Sequence, residues 1–183
     1  MKRLALALAL ATAFSAQAVE YTQIQADKSA INFAYKQMGV SMDGKFRKFA
    51  AQLSFDPAKP AAAKASLDVD LASVDTGAQE SDDEVAGKPW FNTKAFPTAR
   101  FVSSSVKAVG GNRYEVAGKL TIKGKTQDIV APATFTAQGN SGVFEGSFTI
   151  RRGDFSIGEG AWAAFDIVAN DIQIKFRILA TGK

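Results

Sequence analysis

The sequence predicts an all-β protein, an antiparallel up-and-down barrel of about eight strands with one short helix, and leaves a two-sheet sandwich as the alternative. Three observations carry this. Apolar residues recur at every second position in row after row along the chain, the period of strands that turn one face to a core and the other to water. Short clusters of turn-forming residues separate the rows, which is how antiparallel neighbours are joined. Finally, Gly44, Gly118 and Gly146 fall on the apolar faces between large residues. A glycine inside a strand marks a bend or a close approach, so these three either turn barrel corners or leave volume for a guest. An eight-stranded barrel has room for one small ligand.

Taken in order, the chain begins with a leader. Lys2 and Arg3 precede an apolar run from Leu4 to Phe14, and Ala16-Gln17-Ala18 is an A-x-A cleavage signal. This is the pattern of a secretory signal peptide cut after Ala18, with an apolar run shorter than the roughly 20 residues a bilayer span needs. It places the product in the bacterial periplasm. Residues 19–183 then form one domain. Ile31, Phe33 and Tyr35 share a face, as do Val40, Met42, Gly44 and Phe46. Ala65, Leu67, Val69 and Leu71 alternate with polar residues after a Pro/Ala-rich loop at 57–63. Gln79 to Gly87 opens with acidic residues suited to a helix N-terminus and reads as the short helix. A strand starts about Thr98. Four further apolar rows follow: Tyr114 to Ile122, Ile129 to Phe135, Phe144 to Ile150 and Ile172 to Ile178. Asp56-Pro57, Gly110-Gly111-Asn112, Lys123-Gly124-Lys125 and 139–142 supply the turns.

Composition removes several functions. The chain has neither histidine nor cysteine, which excludes a His general base, a Ser-His-Asp triad, a His-ligated metal and a disulfide. The formal net charge of +4 falls by two once Lys2 and Arg3 leave with the leader. No Lys/Arg stripe remains of the kind nucleic-acid binding requires.

Motifs that suggest catalysis lack their context. Ser104-Ser105-Val106-Lys107 matches S-x-x-K inside a strand-like run, where positions three apart point to opposite faces. Gly158 to Ala163 matches G-x-G-x-x-A with no βαβ unit around it. Asp82-Asp83-Glu84 lacks the ligand spacing of a calcium loop. Arg151-Arg152 before Asp154 is either a structural ion pair or a cationic rim for an anionic head group.

The stretch KPWFNTKAFPTARF, residues 88–101, is the most unusual in the chain, with Trp90, Phe91, Phe96 and Phe101 set between two prolines. It connects two strands. Leaving Trp90 and Phe91 in water forfeits roughly 1.5–3 kcal/mol each, so both rings are expected to turn inward and close one barrel end, as a plug alone or as a plug and pocket wall.

SDDEVAGKPWFNTKAFPTARF, VAGKLTIKGKTQDIVAP and GSFTIRRGDFSIG, in this order and spacing, resemble the signature stretches of the YceI-like family, and the opening ADKSAINFAYKQMGVSMDGKFRKF resembles its first hairpin. The resemblance covers residues 19–183. It implies a periplasmic, lipocalin-like barrel without enzymatic activity that encloses an isoprenoid lipid such as a quinone or a polyprenyl chain. It further implies links to bacterial stress responses and, for some relatives, transient contact with a membrane or a membrane b-type cytochrome. Where many relatives carry Arg-Asp-x-His-Leu, this chain has Ser81-Asp82-Asp83-Glu84-Val85, retaining only Asp82.

Parity, the aromatic segment and the resemblance together nominate an apolar cavity lined by Phe33, Tyr35, Met42, Phe46, Leu67, Trp90, Phe91, Phe101, Leu120, Phe144, Phe148 and Phe155, with Asp82 and Arg152 as a head-group rim. The expected function is a non-catalytic carrier that needs no cofactor beyond the lipid itself. The alternative is a filled barrel acting as a stress-protective or protein-interaction module. Oligomeric state stays open.

Overall fold

Hairpin turns decide which strands meet. Met38-Gly39 and Lys123-Gly124 each place two successive residues at positive φ, the backbone of the tight turn whose twist matches flanking strands. The Gly110-Gly111-Asn112 cluster turns the same way with three such residues. The computed structural model describes residues 19–183, and the leader at 1–18 lies outside them.

Among the described residues the chain forms β1 (Tyr21–Ile24), β2 (Ala30–Gln37), β3 (Val40–Phe46), β4 (Phe49–Ser54), β5 (Lys64–Asp70), β6 (Val74–Asp75), α1 (Gln79–Ala86), β7 (Thr98–Gly110), β8 (Arg113–Ile122), β9 (Lys125–Gln138), β10 (Ser141–Arg151) and β11 (Asp171–Gly182). All strands join one antiparallel sheet in the order β4-β5-β7-β8-β9-β10-β11-β2-β3-β6, with β1 laid along the end of β11. Tyr21 in β1 exchanges both backbone bonds with Phe55, just past β4, at 2.9 and 3.2 Å. This ties the β4 margin back to β11 and curls the sheet into a lipocalin-like barrel. Sequential neighbours give the up-and-down order from β7 to β11, and β2 and β3 continue the sheet beyond β11.

The strand count exceeds the expected eight because β1 and β6 are too short, at 4 and 2 residues, to show an alternation. β4 alternates weakly, carrying alanine at two of its six positions. Apart from Val40, exposed at the β2–β3 hairpin, the predicted apolar rows turn inward: Tyr114, Leu120 and Ile122 in β8 and Ala131, Ala133 and Phe135 in β9 are all buried. In β7 a bulge between Ser103 and Ser105 shifts the alternation. Ser104 and Lys107 therefore both lie exposed on the surface rather than on opposite faces.

Apolar residues gather at the two ends of the barrel. At one, Tyr21, Phe55, Tyr114, Phe135 and Phe144 interlock, with Phe55 edge-on to Tyr114 at 5.2 Å and to Phe144 at 5.0 Å. At the other, Leu71, Trp90, Phe155, Ile157 and Val168 are buried beneath α1 and the loops after β10.

The space directly over the strand glycines is taken by rings of the chain itself. The Phe33 ring, opposite Gly44 in the β2–β3 ladder, covers it, Phe101 covers Gly118, and Phe176 covers its ladder partner Gly146. Each ring occupies the space a side chain on the adjacent strand would take, a pairing that restores packing to a strand glycine. Gly44→Ala is therefore expected to cost about 1–3 kcal/mol by overpacking against Phe33. Adding Phe33→Leu should cost less than the sum of the single changes, as denaturant midpoints of the four proteins will show.

Candidate functional site

Between the two aromatic ends lies a cavity of about 460 Å³, inside the range of small-molecule sites. Its wall is built from the inward positions of the strands. Ile31, Phe33 and Tyr35 come from β2, Leu67 and Val69 from β5, Phe101 from β7, Leu120 from β8, Ala131 and Ala133 from β9, Phe144 and Phe148 from β10, and Ile174 and Phe176 from β11. All the nominated lining residues border it except two. Met42 is half-buried on β3 but does not reach the cavity. Phe155, 1% exposed, packs in the core beneath it.

The aromatic segment continues from the C-terminus of α1. The N–H groups of Phe91, Asn92 and Thr93 bond the carbonyls of Val85, Gly87 and Ala86 at 2.9, 2.8 and 3.0 Å, so orphan carbonyls of the last helical turn are satisfied by the chain that follows. This folds Trp90 and Phe91 under the helix and onto the cavity. Trp90 packs on Trp162 at 5.4 Å between centroids, and Phe91 on Phe46 at 6.1 Å. The segment is both plug and wall.

The nominated rim is corrected by the structure. Asp82 is buried and does not border the cavity; its carboxylate accepts from the Thr76 amide and hydroxyl, both at 2.7 Å. It anchors α1 to the loop before it. Arg152 is 1% exposed and borders the cavity from beneath. Its Nε is shared by the carbonyls of Val168 and Ala169 at 3.3 Å. Nη1 donates to Ile157 and Gly158 at 2.8 and 3.2 Å. Nη2 donates to Trp162, Ala164 and Val168 at 2.8, 2.9 and 2.9 Å. The guanidinium sits 5.4 Å from the Trp90 ring and 4.8 Å from that of Phe165, in cation–π contact with both. Burial pulls its pKa down, yet an arginine stays charged. Gly158 is at φ +81°, and a side chain there would strike Nη1. Of the Arg-Arg pair only Arg151 makes the surface ion pair, with Asp154 at 3.1 Å.

Sequence reasoning missed the groups that hold this end shut. Lys123, in the β8–β9 turn, is buried, and its ammonium donates to Glu159 at 2.7 Å and to the Ser156 carbonyl at 2.8 Å. Trp162 Nε1 donates to Glu84 at 2.8 Å. The 158–163 stretch, an isolated loop in sequence, thus clamps α1, the aromatic segment and the β8–β9 turn together. The pairing of its tryptophan is not visible in sequence because Trp90 and Trp162 lie far apart in the chain. Beside α1 the cavity is bordered by Gln37, Thr76, Glu80, Ser81 and Glu84. Burial, and then the Asp82 carboxylate, push the Tyr35 phenol upward, so it remains a neutral donor. What this arrangement offers a guest is dispersion, exclusion of water and a few polar groups at one side.

The comparisons with known proteins agree with the geometry. The sequence profile of the YceI-like domain matches residues 22–180. A UPF0312 protein of Pseudomonas putida is 35% identical over 180 residues, covering 94% of this chain and 93% of that protein. One of Pseudomonas syringae pv. tomato is 34% identical over 162 residues, covering 84% of each. Among solved structures, BcnA of Burkholderia cenocepacia superposes with a TM-score of 0.85 at 45% identity, over 87% of this chain and 100% of that one. A polyisoprenoid binding domain from Saccharophagus degradans shares the fold, with a TM-score of 0.69 at 17% identity over 90% and 99% of the two chains.

Two outcomes are expected at the closed end. Arg152→Lys offers three donors where five served six carbonyls, so unfolding should become easier by about 3 kcal/mol or more, with tryptophan emission shifted to the red. Glu159 is held below the ordinary glutamate range by its hydrogen bond to Lys123 and by that residue's charge. A lowered folded-state pKa contributes stability that is present above the ordinary value and lost as pH falls through the folded one. Acid unfolding of the protein should show this loss, and Glu159→Gln should lack it.

Proposed function

The chain belongs to the YceI-like family, and from that premise we propose that it is a non-catalytic binding protein of the bacterial periplasm that encloses an isoprenoid lipid of quinone or polyprenyl type. The observation that carries this reading is the apolar cavity, walled by aliphatic strands and aromatic ends. A terpenoid tail needs burial and dryness, and no proton transfer. Each isoprene unit gains on the order of 3 kcal/mol gross at roughly 0.8 per methylene equivalent. A few units would approach the affinity ceiling of about 18–21 kcal/mol, so the rest of a long tail is enclosed for shielding.

The periplasm is supported by the leader pattern at residues 1–18. Transient contact with a membrane is supported by an exposed apolar patch at the α1 end of the barrel. There the β2–β3 hairpin, with Met38 at 77% and Val40 at 61% exposure, bonds the segment carrying Phe165 and Ile167.

Filling the cavity separates this reading from a merely packed barrel. Ala131→Phe adds a ring to the wall and is expected to cost less than about 3 kcal/mol while abolishing uptake of a short-chain quinone or geranylgeraniol, measured by tryptophan quenching. Unchanged uptake would place the ligand elsewhere, and no uptake by the unmodified protein would contradict the proposal.

A further inference from the structure

Resting on that reading, we infer that the enclosed lipid carries an uncharged head group, and that Glu80 and Glu84 on α1 turn away lipid phosphates. Among the described residues, four charged ones border the cavity: Lys64, Glu80, Glu84 and Arg152. Lys64 is exposed at the start of β5, where it pairs with Ser54 beside the Phe55 end of the barrel, away from α1. Arg152 lies beneath the wall, and all of its N–H groups are engaged by backbone carbonyls. It has no donor left for a phosphate.

The carboxylates beside the cavity, in contrast, lack counter-charge. Residues 65–87 contain seven Asp and Glu and no Lys or Arg. Among the described residues, the arginine and lysine partners in this region go to Asp68 and Asp75, and none pairs with a carboxylate of α1. Glu84 accepts from the Trp162 indole and Asp82 from Thr76, both neutral donors. A phosphate seated beside α1 would add one or two negative charges to this exposed, negatively charged rim, where like charges repel at low salt. A quinone carbonyl or an alcohol meets no such penalty. It has the Tyr35 phenol and the Ser81 hydroxyl within the lining as neutral partners.

The test compares two ligands with one tail, geranylgeraniol and geranylgeranyl phosphate, on the intact mature protein by tryptophan quenching below their micellar concentrations. The alcohol should bind, and the phosphate should bind at least about tenfold more weakly at low salt. Raising the salt toward about 0.15 M should narrow the gap, since the rim is exposed to solvent and screened. Glu80→Gln combined with Glu84→Gln should narrow it too, the amide introduced at position 84 keeping a carbonyl acceptor for the Trp162 indole. Phosphate bound as tightly as alcohol would overturn the inference and leave the carrier reading intact. A gap unmoved by both salt and the double variant would overturn the role of the two carboxylates. Binding of neither ligand would overturn the carrier reading and the inference with it.

Discussion

A single buried guanidinium holds the closed end of this barrel in shape. The loops between β10 and β11 are too irregular to satisfy their own carbonyls, and buried unpaired carbonyls are costly. Arg152 gathers those of Ile157, Gly158, Trp162, Ala164, Val168 and Ala169 into one fan. No carboxylate is needed, because six oriented carbonyl dipoles supply the negative field. With the loops so fixed, Trp162 stands against Trp90 and reaches Glu84, and Glu159 meets Lys123. The position of α1 over the cavity follows from those contacts. The floor of the site is thus a polar network with an apolar upper surface.

The walls depend on a different device. Phe33, Phe101 and Phe176 lie against glycines of the adjacent strands, so their rings lie along the sheet instead of crossing the barrel axis. Volume that would close a packed barrel is moved to its margin, and the centre stays open. The far end is sealed by aromatic rings of Tyr21, Phe55, Phe135 and Phe144, in contact at 4.9 to 6.5 Å between centroids. An apolar interior of this kind selects on shape and on the exclusion of water.

Much of this is legible in the residues. Alternation in β2, β5, β8, β9, β10 and β11 names the inward faces correctly because each strand is longer than its turns and has one wet face. The cost of exposing Trp90 and Phe91 identifies them as an inward plug. The failures share a cause, which is that polar side chains reveal their partners only in three dimensions. Arg152 reads as a rim cation in sequence, since nothing in Arg-Arg-Gly-Asp shows that six carbonyls from later loops converge on it. Asp82 reads as a head-group contact, yet it closes a local turn at Thr76. Met42 lies half-buried on the expected face opposite Tyr35, and it is Tyr35 that reaches the cavity. The glycines leave open in sequence whether they turn corners or make room, because the rings that cover them sit on neighbouring strands.

What the cavity houses in the cell is decided by mass spectrometry of an organic extract, using mature protein purified from its own cell envelope without detergent. For the proposed carrier the expected result is an isoprenoid at close to one molecule per chain, with an uncharged head group. An extract free of lipid, from protein that also takes up no isoprenoid when offered, would contradict it.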